Sequence, residues 1–520
     1  MNQIGSNNRY SDFFRSESGI ILFFVVIKFL IHFYTNIFAG YGIFRDELYY
    51  LSCASRPALG YVDHPPLSIW LLTVYKSVFG DSLLAIRMVP AMMGSLTIWF
   101  TGKITREFGG GKRALVISLS SILLAPIYLA MNAYYSMNSI DIFLWTTAFF
   151  LIIRLTKTGI NRYWVWLGIV LGLGLLNKMS FLWLGFGIVH TFMILSRGKV
   201  FLKKGIWIAA AVSGLFFLPF IIWNLTHDLA HLEFIKNAQA FKYAGITRLD
   251  FIKDLMLIMN PVSALVWIPG LYWAFFGKIK KETRTIGLNI ITVFLILLIN
   301  GKSKSEYMSA AMIPLFAAGG LFFENLKSLK LAQSLSVFIV FSILVSGIVL
   351  APLALPVLPV DAFIKHSQNI GISPSNNESK QLASLPQFYA DMHGWEEMAK
   401  NVSEVYLMVP ENERENTVFW GTNYGRAGAV EYYSSTYPLP KAISTHNNFW
   451  IWGYGNKEIR HVIFIGGQFG DYENSFETVT ASLTHRAAHA MPYENNLTIF
   501  LCSGPKTDLA DVWLKYKHFE

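Results

Sequence analysis

The sequence predicts a polytopic α-helical membrane protein that ends in a small α/β domain outside the membrane. Three observations predict it. Long apolar runs recur through the first two thirds of the chain, each near the length of about 20 residues that a spanning helix needs. Lys and Arg gather in alternate loops between those runs. After residue 352 the composition turns polar, and strand-like runs alternate with helical patterns.

Composition supports the first observation. Only 15% of the 520 residues are charged and 53% are hydrophobic. Soluble domains carry about 25% charge, so much of this surface faces lipid. The aromatic content of 15% fits interfacial Trp and Tyr, and the mean hydropathy is +0.41. The N-terminal stretch MNQIGSNNRYSDFFRSES is polar and too long for the charged start of a signal peptide. No small-residue cleavage site follows the first apolar run, which therefore reads as a retained anchor.

Eleven candidate spans follow: 19–40, 83–103, 114–132, 139–156, 163–177, 179–196, 205–224, 254–276, 286–300, 308–323 and 333–352. The expected architecture is about 11–13 transmembrane helices. With the N-terminus and its Arg9 and Arg15 in the cytoplasm, every short cytoplasmic loop is basic. These loops hold Arg106, Lys112 and Arg113; Arg154, Lys157 and Arg162; Arg197, Lys199, Lys203 and Lys204; Lys278, Lys280, Lys281 and Arg284; Lys327 and Lys330. The net charge of +10 is thus membrane topology and not a nucleic-acid footprint. The segments left on the outer side are 41–82, 225–253, the turn 300–307 and the tail 353–520. The expected division is a transmembrane catalytic domain, 1–352, with its outer loop 41–82, and an extracytoplasmic α/β domain, 353–520. In the tail, 416–421, 461–466 and 497–502 read as strands, with helical patterns at 394–408 and 426–434. Cys53 and Cys502 have no metal-ligand spacing, and sequence alone does not bring their Cα atoms within disulfide range.

The polar residues of the outer side suggest chemistry. Asp46 and Glu47 follow the first span in FRDELYY, where simple solvation is the alternative. Asp141 starts an apolar span in YYSMNSIDIFLW, where a carboxylate is costly without a role; capping the helix is its alternative. Lys178 lies in a tight turn, Lys302 and Lys304 in NGKSKSEYMSAAMIP with Glu306 and Tyr307, and Arg87 one turn inside the second span. Snorkelling explains one such Lys at a time, but not carboxylates and cations together on one face. Cations there would hold a lipid phosphate and stabilise it as a leaving group, and a carboxylate would act as general base on an acceptor hydroxyl. In GYVDHPPLSIW, Asp63 and His64 precede an amphipathic stretch, 66–79. They are a turn or two ligands of a metal lacking a third. Lys28 and His32 belong to the bundle interior rather than to the site. The glycine-rich WGTNYGRAGAVEYYSS lacks the full dinucleotide pattern. STHNNFWIWGYG gathers His446, Asn447, Trp450, Trp452 and Tyr454, which suit either a sugar face or a core.

Taken in order, these motifs resemble the bacterial relatives of protein O-mannosyltransferases (glycosyltransferase family 39) and of the lipid A aminoarabinose transferase, which have the GT-C fold. The resemblance rests on Asp46-Glu47, Asp63-His64-Pro65-Pro66-Leu67, Asp141, Lys178 and Gly301-Lys302 with Tyr307, together with the tail segments LPQFYADMHGW, NYGRAGAVEYY and STHNNFWIWGYG. One departure is His64, where the aminoarabinose enzyme has Lys. The resemblance implies a polyprenyl-phosphate-linked sugar donor and inverting transfer to a lipid, glycan or protein hydroxyl on the outer face of the inner membrane. Asp46 would be the base. Asp141 would orient the acceptor or share that role, with Glu47 beside them. Lys178, Lys302, Lys304, Arg87 and Tyr307 would hold the donor phosphate. Asp63, His64, His446, Asn447, Trp450 and Trp452 would serve the loop or the acceptor. No cofactor is required by the sequence, and a divalent metal at Asp63 and His64 stays open. The competing reading is a lipid-linked sugar flippase or transporter, which expects charges near the membrane midplane and broken helices in matching halves.

Overall fold

A computed structural model describes residues 16–243, 245–278, 281–372, 384–456 and 458–520. The N-terminal segment with Arg9 and Arg15, and Lys280, lie outside the described residues. The chain divides into two compact units.

The first unit is helical. Among the described residues, seven helices are long and apolar enough to cross a membrane: Glu17–Phe38, Leu83–Glu107, Met137–Thr158, Lys204–Thr226, Lys281–Asn300, Ser305–Glu324 and Leu329–Ala354. An eighth passage is a pair, Arg248–Ile258 and Pro261–Phe276, bent by 94°. The remaining three expected spans are shorter apolar helices, Lys112–Leu123, Arg162–Asn177 and Phe181–Ser196. The expected span 114–132 is broken at Leu124–Ala125, with Pro126 opening the short helix Pro126–Ala130, so the expected spans are not all long enough to cross straight through.

The bend has a local cause. Asn260 sits at φ 63°, in the left-handed region, and Pro261 has no N–H to continue the ladder. The Asn260 side chain accepts from the Val262 N–H at 3.2 Å and from the Ser346 hydroxyl at 2.9 Å. Beyond the bend, helix Ala264–Phe276 packs against Ser309–Glu324 through glycines. A Cβ at Gly270 would lie 2.0 Å from the Leu315 carbonyl oxygen, and one at Gly319 would lie 2.1 Å from that of Val266. Small residues at both positions let the backbones touch, as helix packing in lipid requires.

At the ends of the spans flanking the basic loops, Arg154 and Lys157 pair with Glu107 at 2.8 and 3.1 Å, and Arg106 pairs with Glu17 at 3.1 Å. Lys28 is 1% exposed in the bundle interior, where its ammonium donates to the Tyr128 carbonyl at 2.7 Å.

The second unit is assembled from three segments, 40–81, 223–244 and 360–520. The outer loop thus folds with the tail rather than with the spans, which differs from a linear division at residue 352. The cause is packing: helix Arg45–Ala54 lies against helix Tyr424–Tyr433. A Cβ at Gly425 would meet the Arg45 side chain at 2.5 Å, and one at Gly428 would sit 3.1 Å from the Leu48 backbone. The glycine-rich segment is therefore a seat for a helix.

The tail carries a five-stranded mixed sheet: β1 (Thr417–Trp420), β2 (Lys441–Ile443), β3 (His461–Ile465), β4 (Phe476–His485) and β5 (Leu497–Pro505). The order is β2-β1-β3-β5-β4; β1 runs parallel to β2 and β3, and β5 is antiparallel to β3 and β4. The three expected strands are β1, β3 and β5. Cys53 and Cys502 are both buried free thiols.

Candidate functional site

In the helical unit, three expected site residues meet. Helix Met137–Thr158 is capped by Ser136, whose side chain accepts from the Asn138 N–H at 3.2 Å, so Asp141 is not the cap. Asp141 is instead 5% exposed, more than one turn inside the helix. Its Oδ1 accepts from the Ser180 hydroxyl at 2.6 Å, and the Trp145 indole N–H donates to the same hydroxyl oxygen at 3.2 Å. Each group in this relay is both oriented and satisfied, which fixes the carboxylate.

Lys178 ends helix Arg162–Asn177 in an extended conformation. Its ammonium donates to Asn138 Oδ1 at 2.6 Å, stands 4.0 Å from Asp141 Oδ2, and lies 5.2 Å from the centre of the Tyr307 ring. Tyr307 sits on the turn Ser305–Met308, its ring 5.6 Å from Trp183. On the same turn Lys304 pairs with Glu306 at 3.9 Å. Lys302 is exposed, and Arg87 is buried at 3%. Asn138, Ser180 and Trp145 were not singled out from sequence; Asn138 and Trp145 share the helix face of Asp141 at i, i+3, i+7 spacing, while Ser180 comes from a turn about 40 residues away.

In the second unit, Asp46 stands at the start of helix Arg45–Ala54 with its side chain 36% exposed. The Tyr424 hydroxyl donates to its Oδ1 at 2.8 Å, and Arg45 Nε stands 3.5 Å from the same oxygen. Arg45 also reaches Asp391 at 3.3 Å, and its backbone N–H donates to the Asp391 carbonyl. Asp391 lies in LPQFYADMHGW, so that tail segment and the Asp-Glu pair are one structure. Glu47 accepts from the Phe44 N–H at 2.9 Å and is fully buried, which gives it a capping role in its own helix.

Asp63 accepts from the Tyr49 hydroxyl at 2.8 Å. Burial, and then the Asp63 charge, push the Tyr49 phenol well above its ordinary range, so it stays a donor. His64 is fully buried, with Nδ1 2.9 Å from the Pro65 carbonyl oxygen and its ring stacked 4.8 Å from Tyr50. Asn448 accepts from the Val62 N–H at 2.7 Å, and His231 Nδ1 donates to the Val62 carbonyl at 2.9 Å, so the Asp-His-Pro-Pro turn is pinned from both sides. Among the described residues no three His, Cys, Asp or Glu side chains are grouped to hold a metal, and Asp63 and His64 gain no third ligand.

The segment STHNNFWIWGYG is engaged within the domain. The buried His446 ring accepts from the Tyr424 N–H at Nδ1, 3.4 Å, and its Nε2 lies 3.0 Å from the Glu520 carbonyl oxygen. Burial holds its pKa down to about 3, so the imidazole is neutral throughout the working pH range. Asn447 brackets Glu520 through both its amide groups at 3.2 Å. Trp450 and Trp513 each donate an indole N–H to the other's carbonyl at 3.2 Å. Trp452 carries the Arg56 guanidinium 4.4 Å over its ring, and Arg56 forks onto Glu431. These residues carry hydrogen bonds and ring contacts within the domain. His446 also lines a polar pocket of about 420 Å³, together with Arg45, Lys242, Asn423, Tyr424 and His518, among others.

Comparison with known proteins gives a consistent result. Residues 63–223 match the family model described as dolichyl-phosphate-mannose-protein mannosyltransferase, under a third of the chain. An uncharacterized protein of Aquifex aeolicus is 26% identical over 56% of this chain and 58% of its own length. The lipid A galacturonosyltransferase RgtD of Rhizobium johnstonii is 22% identical over 61% of this chain and 67% of its own. An undecaprenyl phosphate-α-4-amino-4-deoxy-L-arabinose arabinosyl transferase of Pseudomonas fluorescens is 26% identical over 23% of this chain and 21% of its own. The chain thus matches less than two thirds of the length of two of these three. Among solved structures, ArnT from Cupriavidus metallidurans bound to undecaprenyl phosphate matches with a TM-score of 0.61, over 93% of this chain and 98% of that one, at 10% identity. The archaeal oligosaccharyltransferase AglB from Archaeoglobus fulgidus matches with a TM-score of 0.51 over 85% and 69%, at 12% identity. The protein is therefore a multi-pass helical membrane protein of the GT-C fold, with a small C-terminal sheet domain, and it resembles the glycosyltransferase group of the protein O-mannosyltransferases and the lipid A aminoarabinose transferase.

Proposed function

We propose that the protein transfers a sugar from a polyprenyl-phosphate-linked donor to a hydroxyl of an envelope glycolipid, at the outer face of the inner membrane and with inversion. A glycan or protein hydroxyl is the alternative acceptor. The observation that carries the reading is the meeting of Asp141, Lys178 and Tyr307 at the ends of apolar helices. A carboxylate and an ammonium held there by Ser180 and Asn138 are costly unless they serve a function. The names of the relatives supply the reaction class: one carries undecaprenyl phosphate, another lipid A. In the proposed chemistry, Asp46 takes the proton of the acceptor hydroxyl and that oxygen attacks the anomeric carbon. The bond to the lipid phosphate breaks with its electrons on the phosphate, whose charge Lys178, Lys302 and Lys304 offset.

The donor arm is tested by binding. Lys178→Ala and Lys302→Ala are each expected to weaken a polyprenyl-phosphate analogue by about 10- to 100-fold, the cost of a hydrogen bond to a charged group. Thermal stabilisation of the purified protein by the analogue is the readout, and Lys178→Arg should recover part of the loss. Equal stabilisation of wild type and both alanine variants would remove these residues from the donor site.

Orientation is tested separately. A reporter active only outside the cytoplasm, fused after Glu520, is expected to be active, because the basic loops lie on the opposite side. Activity of a cytoplasm-only reporter at that position would reverse the topology.

A further inference from the structure

The tail sheet has two unlike faces. Helix Trp395–Leu407 packs against one side of β3, β4 and β5. Strand register places Trp420 beside Phe464 and Phe464 beside Phe500, so these rings share a face. Along it the rings stack: Trp420 on Phe464 at 5.7 Å and 29°, and Phe464 on Tyr472 at 4.6 Å and 21°. A cavity of about 1370 Å³ opens beside this stack, walled wholly by residues of the tail. It is larger than the ~300–1,000 Å³ of ordinary small-molecule sites.

Trp420, Phe464 and Phe476 belong to the buried core of the sheet at 8–9% exposure, while Tyr454, Tyr472 and Tyr516 are the more open rings of the cavity lining. Polar groups alternate with rings around it: His461, held between Ser503 Oγ and Glu413 at 2.8 Å each, and the threonines 422, 445 and 507. Tyr516, 56% exposed, stands at the rim. Flat aromatic walls interleaved with hydroxyls and carboxylates match a saccharide, whose C–H faces lie on rings while its hydroxyls donate to oxygen acceptors. Charge narrows the class. The lining carries four carboxylates, Glu413, Glu458, Asp471 and Asp508, against Arg460 and Lys506. An excess of carboxylate repels phosphate and tolerates or attracts an amine.

We propose that this cavity binds an unphosphorylated oligosaccharide, neutral or amino-bearing, as a docking site separate from the donor phosphate. The binding readout needs no transfer step, so its result stands apart from the fate of the transferase reading.

The test uses the full chain in nanodiscs free of glycoside detergents, titrated calorimetrically with three probes: chitotriose, its fully de-N-acetylated counterpart, and glucose 6-phosphate. Both trisaccharides are expected to bind, the amine form more tightly and with a salt-dependent affinity. Glucose 6-phosphate should give no binding heat. Tyr516→Ala should weaken both trisaccharides by about three- to tenfold, the value of one ring contact. Glu458, 70% exposed and paired with Arg460, provides the second variant; Glu458→Lys should weaken the amine form more than the acetylated one. Neither position is buried, so melting should stay at the wild-type value. Absence of binding by both trisaccharides, glucose 6-phosphate binding as well as they do, or unchanged affinities in both variants would each overturn the proposal.

Discussion

Asp46→Asn is expected to lower transfer by about 10²–10⁴-fold, the usual cost of a lost general base, while leaving the protein folded and able to bind donor. Asparagine keeps the shape and an oxygen to accept the Tyr424 hydroxyl, now 2.8 Å from Asp46 Oδ1, but it cannot take a proton from the acceptor. Stability should change by only about 0–1 kcal/mol, because the Arg45–Asp46 contact is partly exposed and Arg45 keeps Asp391. The assay is transfer from a synthetic polyprenyl-phosphate sugar with melting followed in parallel. Near wild-type turnover would exclude Asp46 as the base. Asp141→Asn tests the second carboxylate. Since Ser136 caps that helix, any rate loss there cannot be assigned to a lost cap; the amide oxygen can still accept from Ser180, so the remaining cause is the lost charge beside Lys178 or a lost share in proton transfer.

Arg426→Ala should cost about 3–5 kcal/mol of stability in the tail, because it strips the partner from a buried carboxylate. Arg426 and Glu494 are each 5% exposed. Arg426 donates from Nε to Glu494 at 2.7 Å, from Nη1 to the Ile465 carbonyl at 2.7 Å and Thr422 Oγ1 at 2.9 Å, and from Nη2 to the Tyr493 carbonyl at 3.0 Å. One guanidinium thus ties helix Tyr424–Tyr433 to the end of β3 and to the turn before β5. Lysine offers one point of charge where the fork satisfies four acceptors, so Arg426→Lys should recover only part of the loss. Pulse proteolysis of the full chain across a denaturant series measures it. A loss under about 1 kcal/mol would show that the network is not holding the tail together. Replacing Arg426 and Glu494 together by Met should destabilise less than Arg426→Ala, since no lone charge is left buried.

What was legible in the sequence had a local signature. Apolar runs gave all the helices of the membrane unit, and strands rich in β-branched and aromatic residues gave β1, β3 and β5. What was missed lacked one. β2 is three residues long, and β4 is an edge strand whose FETVTASLTH is mostly exposed and carries an irregularity between Ala481 and Leu483, so neither shows a clean alternation. The bend at Asn260 breaks a run that reads as one span. In the candidate site, residue types announced Asp46, Asp141 and Lys178, but not their partners. Tyr424 reaches Asp46 across 378 residues and Asn448 reaches Val62 across 386, distances over which no periodicity survives. Glu47 caps its own helix, and His446, Asn447 and Trp450 carry hydrogen bonds within the tail as well as the chemistry of a site. Residue type cannot distinguish those uses.

The three-segment construction of the second unit also sets the order in which the protein is made. Chains emerge N-terminus first, so residues 40–81 are synthesised before the tail they fold with. Until then Leu48 and Tyr49, at most 1% exposed in the finished fold, lack helix Tyr424–Tyr433, against which helix Arg45–Ala54 packs. Closure must wait for the last span, Leu329–Ala354, to be inserted and for the tail to follow it. Biogenesis therefore includes an interval in which this segment exists without the tail it folds with. A translation stall or truncation after that span would leave it a target for proteases.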